Sequence, residues 1–108
     1  MTTEVRDNPD NSRYEIYDDG ELAGFSDYQL AKDMIAIIHT EIDEAFGGRG
    51  LAKVLASEML ADVRARGLSV RPFCPYVRRM IERNPDSYLD LVRPADRARF
   101  DLPAEGEE

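Results

Sequence analysis

The sequence predicts an α+β fold, in which a mostly antiparallel sheet ends in a single βαβ unit. Three observations favour this fold. Residues 13–42 alternate short runs of β-forming side chains with turn signals. A glycine cluster then precedes a segment with the three- and four-residue spacing of a helix. One more apolar run and a second amphipathic segment predict a further strand and a further helix. The strands before and after the first helix, together with that helix, form the βαβ unit. At 108 residues the chain has the size of a single domain.

The predicted strands come first along the chain. Arg13–Tyr17 alternates two sets of side chains, as a strand does, and the following Asp18–Glu21 contains the Asp-Gly pair of a tight hairpin. Leu22–Leu30 continues as a second strand up to a turn at Ala31–Asp33. Met34–Ile42 is the third and longest of these strands, and its isoleucines indicate that it crosses the core.

The predicted helices follow the glycine cluster. Leu51–Arg66 repeats apolar side chains at helical spacing, and Gly67 stands where a helix C-cap is expected. Leu68–Cys74 resembles a strand but contains Pro72, which has no N–H to donate, so this strand should border a free edge or a gap. Pro75–Asn84 is a second helix, because proline suits a first turn.

The segments outside these elements define the expected domain boundaries. Residues 1–12 are polar and are expected to be a flexible N-terminal segment. Residues 13–92 form the folded domain, with a short last element at Ser87–Val92. Residues 93–108 are charged, end in an acidic run, and are expected to be a loose tail.

Composition excludes several classes of function. The net charge is -8, from 22 acidic and 14 basic side chains, which argues against nucleic-acid binding. The acidic surface is compatible with cationic substrates, although such surfaces usually serve solubility. Cys74 is the only cysteine, so we expect neither an internal disulfide nor a cysteine-based zinc site, and we predict no metal. The longest apolar run, Met34–Ile38, is too short for a membrane span, and no signal peptide is apparent, so we expect a soluble cytoplasmic protein.

The glycine cluster is the segment with the clearest chemistry. Three of the four residues in Gly47–Gly50 are glycine, and glycine lets a ligand approach the backbone closely. The first amides of the next helix have no intrahelical partner, so a pyrophosphate suits that position and Arg49 adds a positive charge. A plain glycine-rich turn explains the same pattern equally well. The Rossmann and Walker fingerprints are absent.

These residues resemble a known family. Gly47–Ala52 (GGRGLA) is similar to motif A of the GNAT acetyltransferase superfamily, in which Arg or Gln is followed three residues later by Gly and five residues later by Gly or Ala. Gly50 and Ala52 match, whereas Gly47 departs from the pattern and Arg49 can compensate for it. The resemblance extends over Arg13–Val92 through three further segments: His39–Ile42 (HTEI), Phe73–Val77 (FCPYV) and Arg83–Tyr88 (RNPDSY). The set is similar to the minimal, single-domain, YjdJ-like group.

The resemblance implies a site for acetyl-coenzyme A. It implies that main-chain groups of Ile38–Ile42 bind the pantetheine arm, and that the strand Ser69–Cys74 splays away to leave a gap for the thioester. The missing N–H of Pro72 agrees independently with such a gap. The residues expected at the cofactor are Ile42, Gly47, Gly48, Arg49, Gly50, Leu51, Ala52 and Cys74.

The resemblance also indicates candidates for catalysis. Glu41 and His39 share a strand face near the expected thioester, and either is a candidate base, with a solvated surface residue as the alternative. Tyr76 and Tyr88 are candidate proton donors to the thiolate, or core residues. Cys74 precedes a helix N-terminus, a placement typical of reactive thiols, and three roles stay open for it: lining the site, nucleophile, or inert core residue.

We therefore predict an acetyl-coenzyme A-dependent N-acetyltransferase that acts on an amine of a small molecule, a protein lysine or an N-terminus. The alternative is a non-catalytic coenzyme A-binding sensor or interaction domain. The expected partners are acetyl-coenzyme A and an amine acceptor, without nucleic acid or membrane. A small open site is often completed by a partner, so we expect a monomer or a weak homodimer.

Overall fold

A computed structural model describes residues 2–103 of the chain. Five strands form one sheet in the order β1-β2-β3-β4-β5. Strands β1 to β4 pair antiparallel, and β5 lies parallel to β4. The bounds of the strands, from β1 to β5, are Thr3–Asn8, Arg13–Asp18, Glu21–Ala31, Met34–Ile42 and Ser69–Pro72. The predicted α+β fold, with a mostly antiparallel sheet and one βαβ unit, is confirmed.

Within residues 2–103, four helices accompany the sheet, and short 3-10 turns connect several of the elements. The helices, from α1 to α4, are Leu51–Ala65, Pro75–Arg83, Pro85–Tyr88 and Pro94–Arg97. The 3-10 turns are Pro9–Asn11, Glu44–Phe46, Leu89–Leu91 and Ala98–Phe100. Across residues 2–103, no helix combines the length and the apolar character needed to cross a membrane.

Helix α1 packs on one face of the sheet and forms most of the core with it. Its buried side chains recur at helical spacing, as the sequence predicts: Leu51, Leu55, Ala56, Met59, Leu60 and Val63. The Tyr14 hydroxyl on β2 donates to Asp62 of this helix at 2.6 Å. Gly67 follows the helix with φ +71°, a left-handed conformation that favours glycine and ends the helix.

The N-terminal expectation needs correction, because the structure has strand β1 where residues 1–12 were expected to be flexible. All six residues of β1 pair with β2, from Thr3 opposite Asp18 to Asn8 opposite Arg13. Polar side chains hold the strand in place. Asp7 accepts a hydrogen bond from the Tyr28 hydroxyl at 2.6 Å, and burial together with this bond raises the pKa of Tyr28 to about 12. These partners lie on other strands, so the sequence around β1 gave no sign of them.

The C-terminal expectation also needs correction, because residues 93–103 pack on the domain instead of forming part of a loose tail. Phe100 and Leu102 are buried, and the Phe100 ring meets the Phe73 ring edge-on at 5.0 Å between centroids. Asp96 accepts from Arg71 of β5 at 3.1 Å. Residues 104–108, the rest of the predicted tail, lie outside the described residues.

Strand β4 has two irregularities near the candidate functional site. The pairing with β3 runs from Asp27 opposite His39 to Tyr28 opposite Ile37, so Ile38 is an extra, bulged residue. The pairing with β5 stops at Ile37 opposite Pro72, although β4 continues to Ile42. The last five residues of β4 therefore have a strand partner on one side only.

Candidate functional site

A gap opens beside the last residues of β4. The Cys74 amide donates to the Ile37 carbonyl at 2.8 Å, and beyond this bond the chain leaves β4 and enters α2. Within residues 2–103, no strand pairs with Ile38–Ile42 on the β5 side. The predicted free edge at Pro72 is confirmed, because β5 is the last strand of the sheet. Main-chain groups of β4 are thus available to an extended ligand along this gap.

The glycine loop lies at the end of the same strand and leads into α1. Gly48 and Gly50 have φ values of +80° and +73°, and a Cβ at either position would meet no atom within 4 Å. Gly50 is the N-cap of α1, and no side chain caps this helix. The first amides of α1 and its partial positive charge are therefore open to a ligand, and an anion suits them.

The Arg49 side chain does not lie at the N-terminus of α1, where the sequence suggests that it adds a charge beside the pyrophosphate. Its guanidinium donates to Asp18 at the end of β2, with Nη1 to Oδ2 at 2.6 Å, and lies 5.1 Å from the centre of the Phe46 ring. Asp18 is only 3% exposed. The charge of Arg49 is thus already matched by a buried carboxylate. Two other residues predicted at the cofactor also have side chains that face the core: Leu51 is buried, and Ile42 packs against the core.

A cleft of about 260 Å³ lies between α1 and α2, and three cations line it. Lys53 comes from the first turn of α1, whereas Arg79 and Arg83 come from α2. Tyr76, Met80 and Asn84 complete the lining. Among the residues that the structure describes, none of the three cations lies within ion-pair distance of a carboxylate. In a chain of net charge -8, this cleft is a local concentration of unpaired positive charge.

His39 and Glu41 lie side by side on the sheet face opposite α1. The distance from His39 Nε2 to Glu41 Oε1 is 3.2 Å, and the two side chains are 57% and 60% exposed. Phe25 of β3 stands opposite Glu41, and its ring centroid is 6.4 Å from that of His39. A smaller cleft of about 100 Å³ borders Glu41 and is also lined by Phe25, Leu22 and Asp43.

Cys74 lies on the other side of β4 from this pair. The side chain is 2% exposed, and its thiol donates to Thr40 Oγ1 at 3.3 Å. Thr40 in turn bonds to the buried Ser26 hydroxyl at 2.9 Å. The sulfur therefore occupies a closed hydrogen-bonded position at the base of the gap. No contact within residues 2–103 joins it to His39 or Glu41.

The two tyrosines differ in their surroundings. Tyr76 is exposed and borders the cleft between α1 and α2, whereas Tyr88 is half-buried and packs against the core. Across the described part of the chain, neither hydroxyl bonds to the His39 and Glu41 pair. The structure thus separates the predicted catalytic residues into two groups on opposite sides of β4.

Sequence reasoning missed three residues that the structure brings to the site. A Cβ on Gly24 would lie 2.5 Å from the Glu41 carbonyl, so glycine there permits the close approach of β3 to the end of β4. Asp18 and Lys53 were missed because the sequence predicts a turn at Asp18 and a solvated helix position at Lys53. A lysine within three residues of a glycine-rich N-cap is a signal that could have identified Lys53.

Comparisons with known proteins give matches over most of the folded chain. Residues 13–91 match the family model described as GCN5-related N-acetyl-transferase. Protein NATD1 from Bos taurus and from Homo sapiens is 33% identical to the chain over 66 residues, which cover 60% of this chain and 58% of each relative. The match therefore spans less than two thirds of those relatives.

Solved structures share the fold. A GCN5-like protein from Staphylococcus aureus superimposes with a TM-score of 0.61 at 24% identity, covering 83% of this chain and 87% of that one. Ard1 from Thermoplasma volcanium gives a TM-score of 0.51 at 25% identity, covering 62% and 46%. None of these matches separates the YjdJ-like group from the rest of the superfamily, so that finer assignment stays a prediction.

Proposed function

This chain belongs to the GCN5-related N-acetyltransferase family, and we propose that it binds acetyl-coenzyme A and transfers the acetyl group to an amine. The acceptor is an amine of a small molecule, a protein lysine or a protein N-terminus. One observation carries the proposal. The uncapped N-terminus of α1, opened by Gly48 and Gly50, follows after one 3-10 turn the strand β4, which loses its β5 partner beyond Ile37.

The cofactor fits this arrangement in three parts. The open amides at the start of α1 suit the pyrophosphate, because they present donors and a partial positive charge without a Cβ in the way. The adenosine and its 3′-phosphate suit the cleft lined by Lys53, Arg79 and Arg83, whose charges have no ion-pair partner among residues 2–103. The pantetheine arm suits the free edge of Ile38–Ile42, which no strand of the described residues pairs with on the β5 side.

The pair on the opposite face suits the proton transfer that the reaction needs. Bound acetyl-coenzyme A would supply the acetyl group as a thioester, which an amine can attack only in its neutral form. With its proton on Nε2, His39 donates to Glu41, and its Nδ1 is left to accept the proton that the amine loses. Glu41 orients the ring and stabilises the imidazolium that forms. Tyr76 is the proposed donor to the leaving thiolate, because it stands in the first turn of α2, two residues after Cys74 at the base of the gap, and its side chain is exposed. Arg79 and Arg83 lie one and two turns further along this helix.

A second candidate function is coenzyme A binding without turnover, as a sensor or interaction domain. The observation in its favour is the openness of the acceptor side. His39 and Glu41 are more than half exposed, and the cleft beside Glu41 is only about 100 Å³. Such a surface encloses little of an acceptor and excludes little water.

Two measurements on the full chain test the proposal. The first is calorimetric titration with coenzyme A; binding to the native state alone also adds about 2.7 kcal/mol of stability at a hundredfold excess over Kd. The second is thiol release from acetyl-coenzyme A with a polyamine, a lysine-containing peptide and a peptide with a free N-terminus. Binding with release supports the transferase. Binding without release from any of these acceptors supports the sensor, and no binding contradicts both functions.

A further inference from the structure

The end of β2 carries a buried carboxylate that the reaction itself does not use. Asp18 is 3% exposed, and its Oδ2 accepts from Arg49 Nη1 at 2.6 Å. A buried carboxylate without a partner is strongly destabilising, so this position requires a cation. Among the ion pairs of residues 2–103, Arg49 is its partner. The pair joins the β2–β3 hairpin to the glycine loop, 31 residues further along the chain.

The loop needs such an attachment because of its composition. Arg49 stands between Gly48 and Gly50, both at positive φ and both without neighbouring atoms where a Cβ would be. Glycines of this kind have many accessible conformations and no side chain to fix one of them. The Arg49 side chain supplies two contacts, the Asp18 carboxylate and the Phe46 ring at 5.1 Å.

We propose that Asp18 is a positioning residue for cofactor binding, which acts through Arg49 to hold the glycine loop with its amides facing the pyrophosphate. This inference rests on the proposed function. Arg49 in this account binds the protein and not the phosphate. The two roles give opposite expectations. If Arg49 is the attachment, neutralising Asp18 weakens cofactor binding; if Arg49 reaches the phosphate, the same change frees its charge and binding stays equal or becomes tighter.

The first test is calorimetric titration of coenzyme A against Asp18→Asn, Arg49→Met and the double variant. If the released loop adopts the binding conformation about one tenth of the time, the apparent Kd rises about tenfold in Asp18→Asn and in folded samples of Arg49→Met, which leaves the buried Asp18 carboxylate without its cation. The double variant should be no weaker than either single variant, because one attachment is lost only once. Asp18→Asn keeps the shape of the side chain and removes a buried charge, so the fold is retained.

Asp19→Asn is the matched control, since it removes the same charge one residue away. Asp19 accepts from the Thr2 amide and does not contact Arg49. This variant should bind coenzyme A within about twofold of the unchanged protein, a difference of less than about 0.5 kcal/mol. Binding by Asp18→Asn that is as tight as in the unchanged protein, or tighter, would overturn the proposal.

A second readout needs no cofactor and separates this inference from the proposed function. In the ligand-free protein, the ¹⁵N heteronuclear NOE of the Gly47–Gly50 amides should fall in Asp18→Asn and stay unchanged in Asp19→Asn. Absence of coenzyme A binding by the unchanged protein would contradict the proposed function while this arm still tests the attachment. An unchanged NOE in Asp18→Asn would overturn the attachment even if coenzyme A binds.

Discussion

The N-termini of α1 and α2 are closely comparable, yet they present different surfaces. Each helix follows one of the two parallel strands, so both begin at the same edge of the sheet. Neither has a side-chain cap. Helix α1 begins after Gly50, with open space where a Cβ would lie. Helix α2 begins after Cys74, whose amide is bonded to Ile37 and whose side chain is buried, and continues with Pro75.

The difference shows that a helix N-terminus is not an anion site by itself. Both helices have a dipole and unpaired first amides, but α2 begins with Pro75, which has no N–H to donate, and follows Cys74, whose amide is already bonded to Ile37. At α1 the glycines leave that space free, and Arg49 is held to one side by Asp18. We therefore assign the pyrophosphate to the N-terminus of α1 and a structural role to Cys74, the N-cap residue of α2. The following experiments test that division.

The largest effect is expected on β4, the strand that leads to α1. His39→Gln and Glu41→Gln should each lower turnover by roughly 10²–10⁴-fold, the usual contribution of general base catalysis, while coenzyme A binding stays unchanged. Asp27→Asn is the control, since Asp27 stands opposite His39 in the register but makes no ion pair with it. Normal turnover in both single variants and in the double variant would remove this pair from the mechanism.

An intermediate effect is expected in the cleft where α1 and α2 meet. Lys53→Met and Arg79→Met should each weaken coenzyme A binding about three- to tenfold, since a hydrogen bond to a charged group in a partly exposed site contributes about 1 kcal/mol. Dephospho-coenzyme A should be much less affected. Arg78→Met is the control, because Arg78 lies on the same helix and pairs with Glu82 at 3.4 Å. Equal losses for both ligands would show that the 3′-phosphate lies elsewhere.

The smallest effect on turnover is expected at the start of α2. Cys74→Ala should keep turnover within about threefold and lower the free energy of unfolding by about 1 kcal/mol, since it deletes a buried sulfur while Thr40 keeps its bond to Ser26. The native thiol should react slowly with iodoacetamide and rapidly once the protein is unfolded in urea. An acetyl adduct on Cys74, found by mass spectrometry when no amine is present, would show a nucleophile instead.

The sequence predicted most of the fold because its signals are local. Strand β4 has the predicted bounds, Met34–Ile42, and α1 ends one residue before the predicted Arg66. The hairpin after β2 and the helix after Pro75 follow from turn and proline chemistry in the same way. Strand β1 was missed because its stability comes from pairing with β2 and from Asp7, which contacts Tyr28 and Arg66 far along the chain.

The candidate site was predictable only in part, for the same reason. A glycine cluster before a helix is a local sequence pattern typical of phosphate sites, so the loop could be predicted from the sequence as a candidate. The ion-pair partner of Arg49 could not be predicted, since Asp18 is 31 residues away and lies in a segment whose sequence predicts a turn. The cleft cations lie on two helices that only the packed domain brings together. The separation of Cys74 from His39 and Glu41 likewise depends on the bulge at Ile38.

Substitution of the two glycines that flank α1 tests most directly whether the pyrophosphate binds at the N-terminus of this helix. Gly50 and Gly67 flank the helix, both at positive φ and both with open space where a Cβ would be. Gly50→Ala and Gly67→Ala should therefore cost a similar free energy of unfolding, about 1–2 kcal/mol. In calorimetric titrations with coenzyme A, we expect a Kd at least about tenfold higher for Gly50→Ala. The Kd of Gly67→Ala should be unchanged. Equal affinity in folded samples of both variants would contradict the assignment of the pyrophosphate to the N-terminus of α1.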